Sequence, residues 1–531
     1  MDAAFVDIGH TTGEPWGRHR WVTEGSAVAE PENERVDLPG GTSASQLLHD
    51  ILRAAVDQFP DELTAAELPD NPATFRAEYA TCLPRFEAAR IATPQRTAIA
   101  RYLAAESRRR FVWMVGEEVT PLTEAMAEPQ PPLELETITF SEMGGWIPQL
   151  PAGNGTAVAD GATGDAIADY TAGLVGRSSA TAGVATSVSW LLSDGVGPGG
   201  MLDFSARRIA VLGGAAELAP ATHWLAAGAH VLWIDVASPP AQLRRSAAGG
   251  RLSWAPGGVD LLTQPRRVAA TIAEFAAAGP VDIGLYAYAP GKAREWRLTA
   301  AMNAIVDALP AEAIATVTLL VSPTTPGQIT SQELQVEEQQ RRDRPIWQNT
   351  LDRLGFLGSG SGHVTVGDGA VSRSVVSIQG SGYQAAQYLE KMMTAETWAT
   401  WGPALATAPQ PRHVSANVAG VSLTRSLQHP VFDAAFGGAT AFQVETFAPG
   451  VTRSLNAMLT ARDWLDPTAA GNPAASFSTQ AERARQLLTS AMVHGGLYVL
   501  PYPADPALKV SAAIGAARHP SRIPAMVRRS G

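Results

Sequence analysis

Apolar positions along the chain change their spacing near residue 207, and that change divides the sequence. From Thr42 they recur at helical intervals. Leu47, Leu48, Ile51, Leu52, Ala55, Val56 and Phe59 share one face, and Pro60 ends the run. Further helical segments follow through 75–115, with the Arg108-Arg109-Arg110 run read as a solvated helix face. Residues 117–165 are loop-rich, and a small-residue helix covers Asp165–Leu192. Before all of this, residues 1–41 carry Gly, Pro and Glu without periodicity. They read as an extended arm, with Trp16 and Trp21 as its anchors.

Beyond Arg207 short apolar runs alternate with helical stretches. RRIAVLGG (207–214), HVLWIDV (230–236), PVDIGLYAYAPG (280–291) and ATVTLLVSP (315–323) each suit a buried parallel strand. RSVVSIQG (373–380), RHVSANVAGV (412–421) and GGLYVLPY (495–502) are further strand candidates. Strands separated by helices of this length build βαβ units, hence an α/β domain with a parallel sheet covered on both faces. The pattern predicts a mostly helical region over 42–200 and the α/β domain over 206–505, followed by a C-terminal tail at 506–531. The α/β domain contains an insertion at 324–372, whose charged part reads as a solvated amphipathic helix, and a segment at 424–490 before the last strand.

Composition narrows the function classes. The 531 residues are 45% hydrophobic and carry a net charge of −11, which excludes wholesale disorder and argues against a general nucleic-acid or anionic-membrane binder. No apolar run is long enough for a membrane span, and the N-terminus lacks the order of a signal peptide. One cysteine, Cys82, excludes an internal disulfide and fits a reducing compartment, so a cytoplasmic location is expected. The histidines form no H-x-x-x-H pair, and no metal site is expected. The basic residues are lopsided: Lys292, Lys391 and Lys509 are the three lysines among 40 basic residues. Any lysine-dependent chemistry has only these candidates.

Ligands of an open parallel sheet sit beyond the carboxyl ends of its strands. After the first strand, Gly213 and Gly214 allow backbone to approach a phosphate, although a tight turn alone explains such a pair. After the second, Asp235 stands where a carboxylate can bind an adenosine ribose and repel the extra phosphate of NADP; a turn or helix-cap Asp is the plain alternative. Asp260 follows the third turn and is placed to contact adenine. Ala289 and Gly291 follow PVDIGLYAY, where small residues let a nicotinamide ribose lie against backbone.

In this order the motifs resemble the short-chain dehydrogenase/reductase superfamily over roughly 206–505, with a long N-terminal extension. Ala289 and Gly291 match part of its motif after strand four, and ANVAGVSLTRS (416–426) is similar to its motif after strand six, with Gly420 and Thr424 in place. The resemblance implies a Rossmann-like doubly wound sheet, NAD(H) in preference to NADP, and a homodimer. It also makes 424–490 a substrate lid, whose aromatic residues suit an apolar, acyl-like ligand or a core. Its catalytic Tyr-x-x-x-Lys pattern is best matched at Tyr383, with Gln387 in the lysine position. Gln387 can hydrogen-bond from the same helix face but supplies no charge.

Lys391 lies eight residues from Tyr383, about 80° around an α-helix, which makes a poor direct pair. Tyr388 with Lys391, and Lys292 from across the cleft, are the other lysine arrangements. Ser322 is the first candidate for the carbonyl-orienting serine, with Ser377 and Ser381 as alternatives. Asn303 takes the place of the family's water-anchoring Asn, or is an ordinary helix Asn. The expected function is an NAD(H)-dependent oxidoreductase acting on a carbonyl, alcohol or enoyl group of a small, apolar molecule. The glycines replaced by Leu218 and Pro220, together with Gln387, leave two alternatives. One is a binding or assembly module with impaired catalysis and reduced nucleotide binding. The other is a lyase or isomerase using Tyr383.

Overall fold

The computed structural model describes residues 34–40, 42–140, 144–151, 161–246, 249–289, 291, 293–427 and 430–518. Trp16, Trp21 and Lys292 lie outside them. Twelve strands are present among the described residues: β1 (Glu34–Asp37), β2 (Val112–Val115), β3 (Glu118–Pro121), β4 (Glu136–Thr139), β5 (Arg208–Leu212), β6 (His230–Ile234), β7 (Arg251–Trp254), β8 (Val281–Leu285), β9 (Ile314–Val321), β10 (His363–Val366), β11 (Gly369–Ser372) and β12 (Val414–Val418). Seven form one sheet in the order β12-β9-β8-β5-β6-β7-β4. All its pairings are parallel except β4 with β7. Counted by chain order, the six parallel strands lie 6-5-4-1-2-3. The chain leaves β5 toward one edge and returns through β8 toward the other, which opens a crevice at their carboxyl ends.

The alternation of β5 and β6 explains the layers. Ala210, Leu212, Leu232 and Ile234 join one core; Ile209, Val211, Val231 and Trp233 join the other. The first core also takes helices Ala44–Gln58, Pro72–Ile91, Arg96–Arg110 and Arg294–Ala308. The second takes Asp165–Gly176, Ala182–Trp190 and Pro449–Leu465. Two three- and two-stranded antiparallel units, β1-β2-β3 and β10-β11, stand outside the main sheet.

The N-terminal region is part of this body. β4 completes the sheet edge, and the described residues from Glu34 onward cluster as one compact unit. Arg108 is buried and paired with Glu390 and Asp307, contrary to the expected solvated face. The charged insertion helix, Ser331–Arg342, starts with a Thr330–Glu333 capping box, but Glu333 and Glu337 are buried rather than solvated.

Two expected strands are absent. In 373–380, Arg373 N–H bonds Gly362, its carbonyl takes Ala504 N–H, and Ser377–Gln379 forms a single 3₁₀ turn. In 495–502, Gly495 and Gly496 adopt φ of 62° and 87°, turning the chain away after a single bridge from Met492 to Val418. Leu497–Val499 is again one 3₁₀ turn. The expected C-terminal tail begins as helix Ala504–Arg518, packed on Pro430–Ala439. Among the described residues no helix is long and apolar enough to cross a membrane.

Candidate functional site

A cavity of about 1230 Å³ opens at the carboxyl ends of β8, β9 and β12. Ser322, Tyr383, Gln387 and Lys391 all line it, as do Ala289, Gly291 and Ser381. Asn303, Gly213, Gly214, Asp235 and Asp260 do not. The cavity therefore gathers four of the five expected reaction-centre residues together with Ala289 and Gly291, and leaves out Asn303 and the other four expected nucleotide contacts.

Ser322 is the first residue after β9, so the strand aims it into the crevice. Its Oγ lies 2.8 Å from Thr324 Oγ1, and its N–H donates to Gln387 Oε1 at 2.9 Å. Tyr383 lines the same cavity with the Ser322 and Thr324 hydroxyls as its polar neighbours. Burial pushes the phenol's pKa above its ordinary value. The Glu295 carboxylate adds to that rise, against the lowering effect of both hydroxyls. Tyr383 is thus held as a protonated hydrogen-bonding group.

Helix geometry turns Lys391 toward the same face. Ser381–Ala385 is α-helical, but Ala386–Met393 is π-helical before the α-helix resumes at Thr394. With i→i+5 bonding each residue turns through roughly 80–85° instead of about 100°. Five of the eight steps from Tyr383 to Lys391 fall in that stretch, so the lysine comes round to within about 10° of the tyrosine's face. Lys391 Nζ reaches Glu295 Oε1 at 3.4 Å, and Gln387 Nε2 bonds the same oxygen at 3.4 Å. Glu295 Oε2 accepts Ala289 N–H at 2.8 Å, which fixes the loop after β8. The lysine's charge is met by this carboxylate.

The remaining candidates have other partners. Tyr388 donates to Glu87 at 2.7 Å, which removes the Tyr388–Lys391 arrangement. Asn303 is fully buried and donates to the backbone and side chain of Glu390. Ser377 donates to Asp505.

The nucleotide side is closed by protein groups. Gly213 has φ of 92°, and a Cβ there would lie 2.2 Å from Ala287 N; at Gly214 it would meet the Trp233 ring at 2.4 Å. Both glycines are required by packing. Asp235 accepts Ala215 N–H and Ala237 N–H at 3.0 Å, one on each oxygen, straps the glycine turn, and has its pKa raised by burial despite those bonds. Asp260 accepts Leu262 N–H at 2.9 Å and shapes the turn before helix Pro265–Phe275. The helix after the glycine turn begins only at Ala221 and spans six residues. Across the cleft, Glu217 accepts Tyr288 O–H at 3.2 Å and Arg425 N–H at 2.7 Å. This carboxylate ties the turn after β5 to the loops after β8 and β12, where a pyrophosphate would have to pass. A dinucleotide in this arrangement would bring its anionic centre against Glu217, and Asp235 already holds two backbone N–H groups.

Glu295, Glu217 and Thr324 are the site residues that sequence reasoning passed over. Glu217 stood in the glycine turn, where an acidic residue opposes a phosphate, and that signal was available. Glu295 carried none. Among the described residues, no group of three or more His, Cys, Asp or Glu is arranged to hold a metal. No protein-family model matches the chain, nor does any curated protein or solved structure.

Proposed function

We propose that this chain is a short-chain dehydrogenase/reductase-type fold that binds, rather than reduces, an elongated apolar molecule bearing a carbonyl or hydroxyl group. The parallel order 6-5-4-1-2-3 supports the Rossmann-like reading. The observation that carries the functional reading is the Tyr383–Ser322–Thr324 hydroxyl cluster, set in a large cavity while Glu217 and Asp235 occupy the nucleotide side. Phe432, Phe436 and Phe442 line the same cavity and suit a hydrocarbon chain. Tyr383 and Ser322 donate to the ligand oxygen. Lys391, the lysine on the tyrosine's own helix, is paired to Glu295.

A long-chain methyl ketone titrated into the full chain tests this. Binding is expected, and Tyr383→Phe weakens it about fivefold to tenfold through loss of one neutral hydrogen bond. Affinity stays flat between about pH 6 and pH 9, because the phenol remains protonated throughout. Failure of the wild type to bind, or unchanged affinity in the variant, overturns the reading.

The shared helix face and cavity of Lys391 and Tyr383 favour a second reading, an NAD(H)-dependent oxidoreductase of the same apolar substrates. That requires Glu217 and Asp235 to exchange their present partners for the cofactor.

A further inference from the structure

Beyond the hydroxyl cluster, the cavity is also lined by Arg35, Asp37, Arg76 and Arg297. Three of these come from the N-terminal region, to which the sequence assigned no function. Arg35 Nε and Arg297 Nη1 bond the two oxygens of Asp37 at 2.7 and 3.0 Å, so one carboxylate serves two guanidinium groups. Leu38 N–H bonds that carboxylate as well. Burial alone would raise its pKa, but these bonds and the two arginine charges hold it below the ordinary value. Asp37 therefore stays ionised and is fully committed. Arg297 Nε is buried without a partner, and Arg76 is exposed with no ion pair among the described residues. With Lys391 and Glu295, four cations and two carboxylates line the cavity. A positive lining stands out in a chain of net charge −11.

We infer that this cavity takes an anionic amphiphile, its carboxylate or phosphate group held by Arg76 and Arg297 and its hydrocarbon chain among Phe432, Phe436 and Phe442. The inference rests on the binding reading above and specifies its ligand class. A lone buried N–H is costly to leave unpaired, and a planar guanidinium suits both anions. The N-terminal region then supplies the charged end of a site whose apolar end belongs to the α/β domain. Arg35 keeps Asp37 occupied, so that Arg297 retains donors for the ligand.

The test uses the full chain and three probes of equal chain length: dodecanol, laurate and dodecyl phosphate, each displacing a fluorescent apolar dye below its micelle concentration. At least one anion should bind about tenfold or more tightly than the alcohol, the gain expected from a charge-assisted hydrogen bond. The preference should shrink with added salt. Comparing laurate with dodecyl phosphate distinguishes a carboxylate ligand from a phosphate ester. Arg76→Glu, at an exposed position that does not threaten folding, should abolish the preference, so that neither anion binds more tightly than dodecanol. Equal binding of all three probes overturns the inference but leaves the apolar site intact. Equal weakening of all probes by Arg76→Glu also overturns it. No binding of any probe removes both the inference and the reading beneath it.

Discussion

Replacing Glu396 by Gln tests how the N-terminal helices are joined to the helix that carries Tyr383 and Lys391. Glu396 is fully buried and accepts Arg90 at 2.9 and 3.0 Å and Arg96 at 3.2 and 3.1 Å. Arg90 also bonds Glu87, which takes the Tyr388 hydroxyl. Two cations and two carboxylates thus balance one another. Burial would raise the Glu396 pKa, but Arg90 and Arg96 pull it from 4.5 to about 2. That depression corresponds to about 3 kcal/mol of stability, the lower end of the ~3–5 kcal/mol expected for removing one partner of a buried pair.

The sign with pH follows from the same shift. The contribution is complete above the unfolded pKa near 4.5 and is lost as pH falls through the folded value near 2. Urea unfolding of both proteins should show the Gln variant about 3 kcal/mol less stable at pH 7, and the gap about 1 kcal/mol smaller near pH 3.5. A loss below about 1 kcal/mol, or a gap that widens on acidification, would refute the reasoning.

Two further outcomes follow from the geometry. His223 stands between Trp146 and Ser454, and burial followed by the Arg453 charge lowers its pKa to about 3. The unfolded chain takes up a proton that the folded chain refuses, so stability should fall by about 1 kcal/mol per pH unit as pH drops below about 6.5. Comparing the pH dependence of urea midpoints in wild type and His223→Gln checks this, since the variant should lose that slope. Gly213→Ala places a Cβ 2.2 Å from Ala287 N at a φ of 92°, and should cost about 3 kcal/mol in the same assay from strain plus overpacking.

The sheet was legible because its strands are short apolar runs between helical stretches: Arg208–Leu212 falls within its predicted segment, and Ile314–Val321 starts one residue before its own. β7 was not singled out, since RLSW carries an arginine and a serine in four residues. RSVVSIQG had the right composition for a strand but no neighbour to pair with, a tertiary fact that propensity does not contain. Arg108 was misplaced for a related reason. Its partner Glu390 is 282 residues away, and a run of three arginines looks solvated until that partner is known.

That Ser322, Tyr383, Gln387 and Lys391 face one crevice was legible from their order along the chain. The Tyr383–Lys391 relation was not, because a period of 3.6 was applied to a stretch that folds with a longer one. Gly213, Gly214 and Asp235 illustrate the opposite limit. Their residue types satisfy a nucleotide-binding pattern, yet each has a structural partner that explains it.

Calorimetric titration of the full chain with NADH tests the central claim most directly. The closed turn, held by Glu217 and Asp235, predicts no heat of binding for NADH up to about millimolar concentration, where only about −4 kcal/mol of binding free energy would be needed. A saturable isotherm with a micromolar dissociation constant, weakened by Asp235→Ala, would contradict the account and establish the oxidoreductase reading in its place.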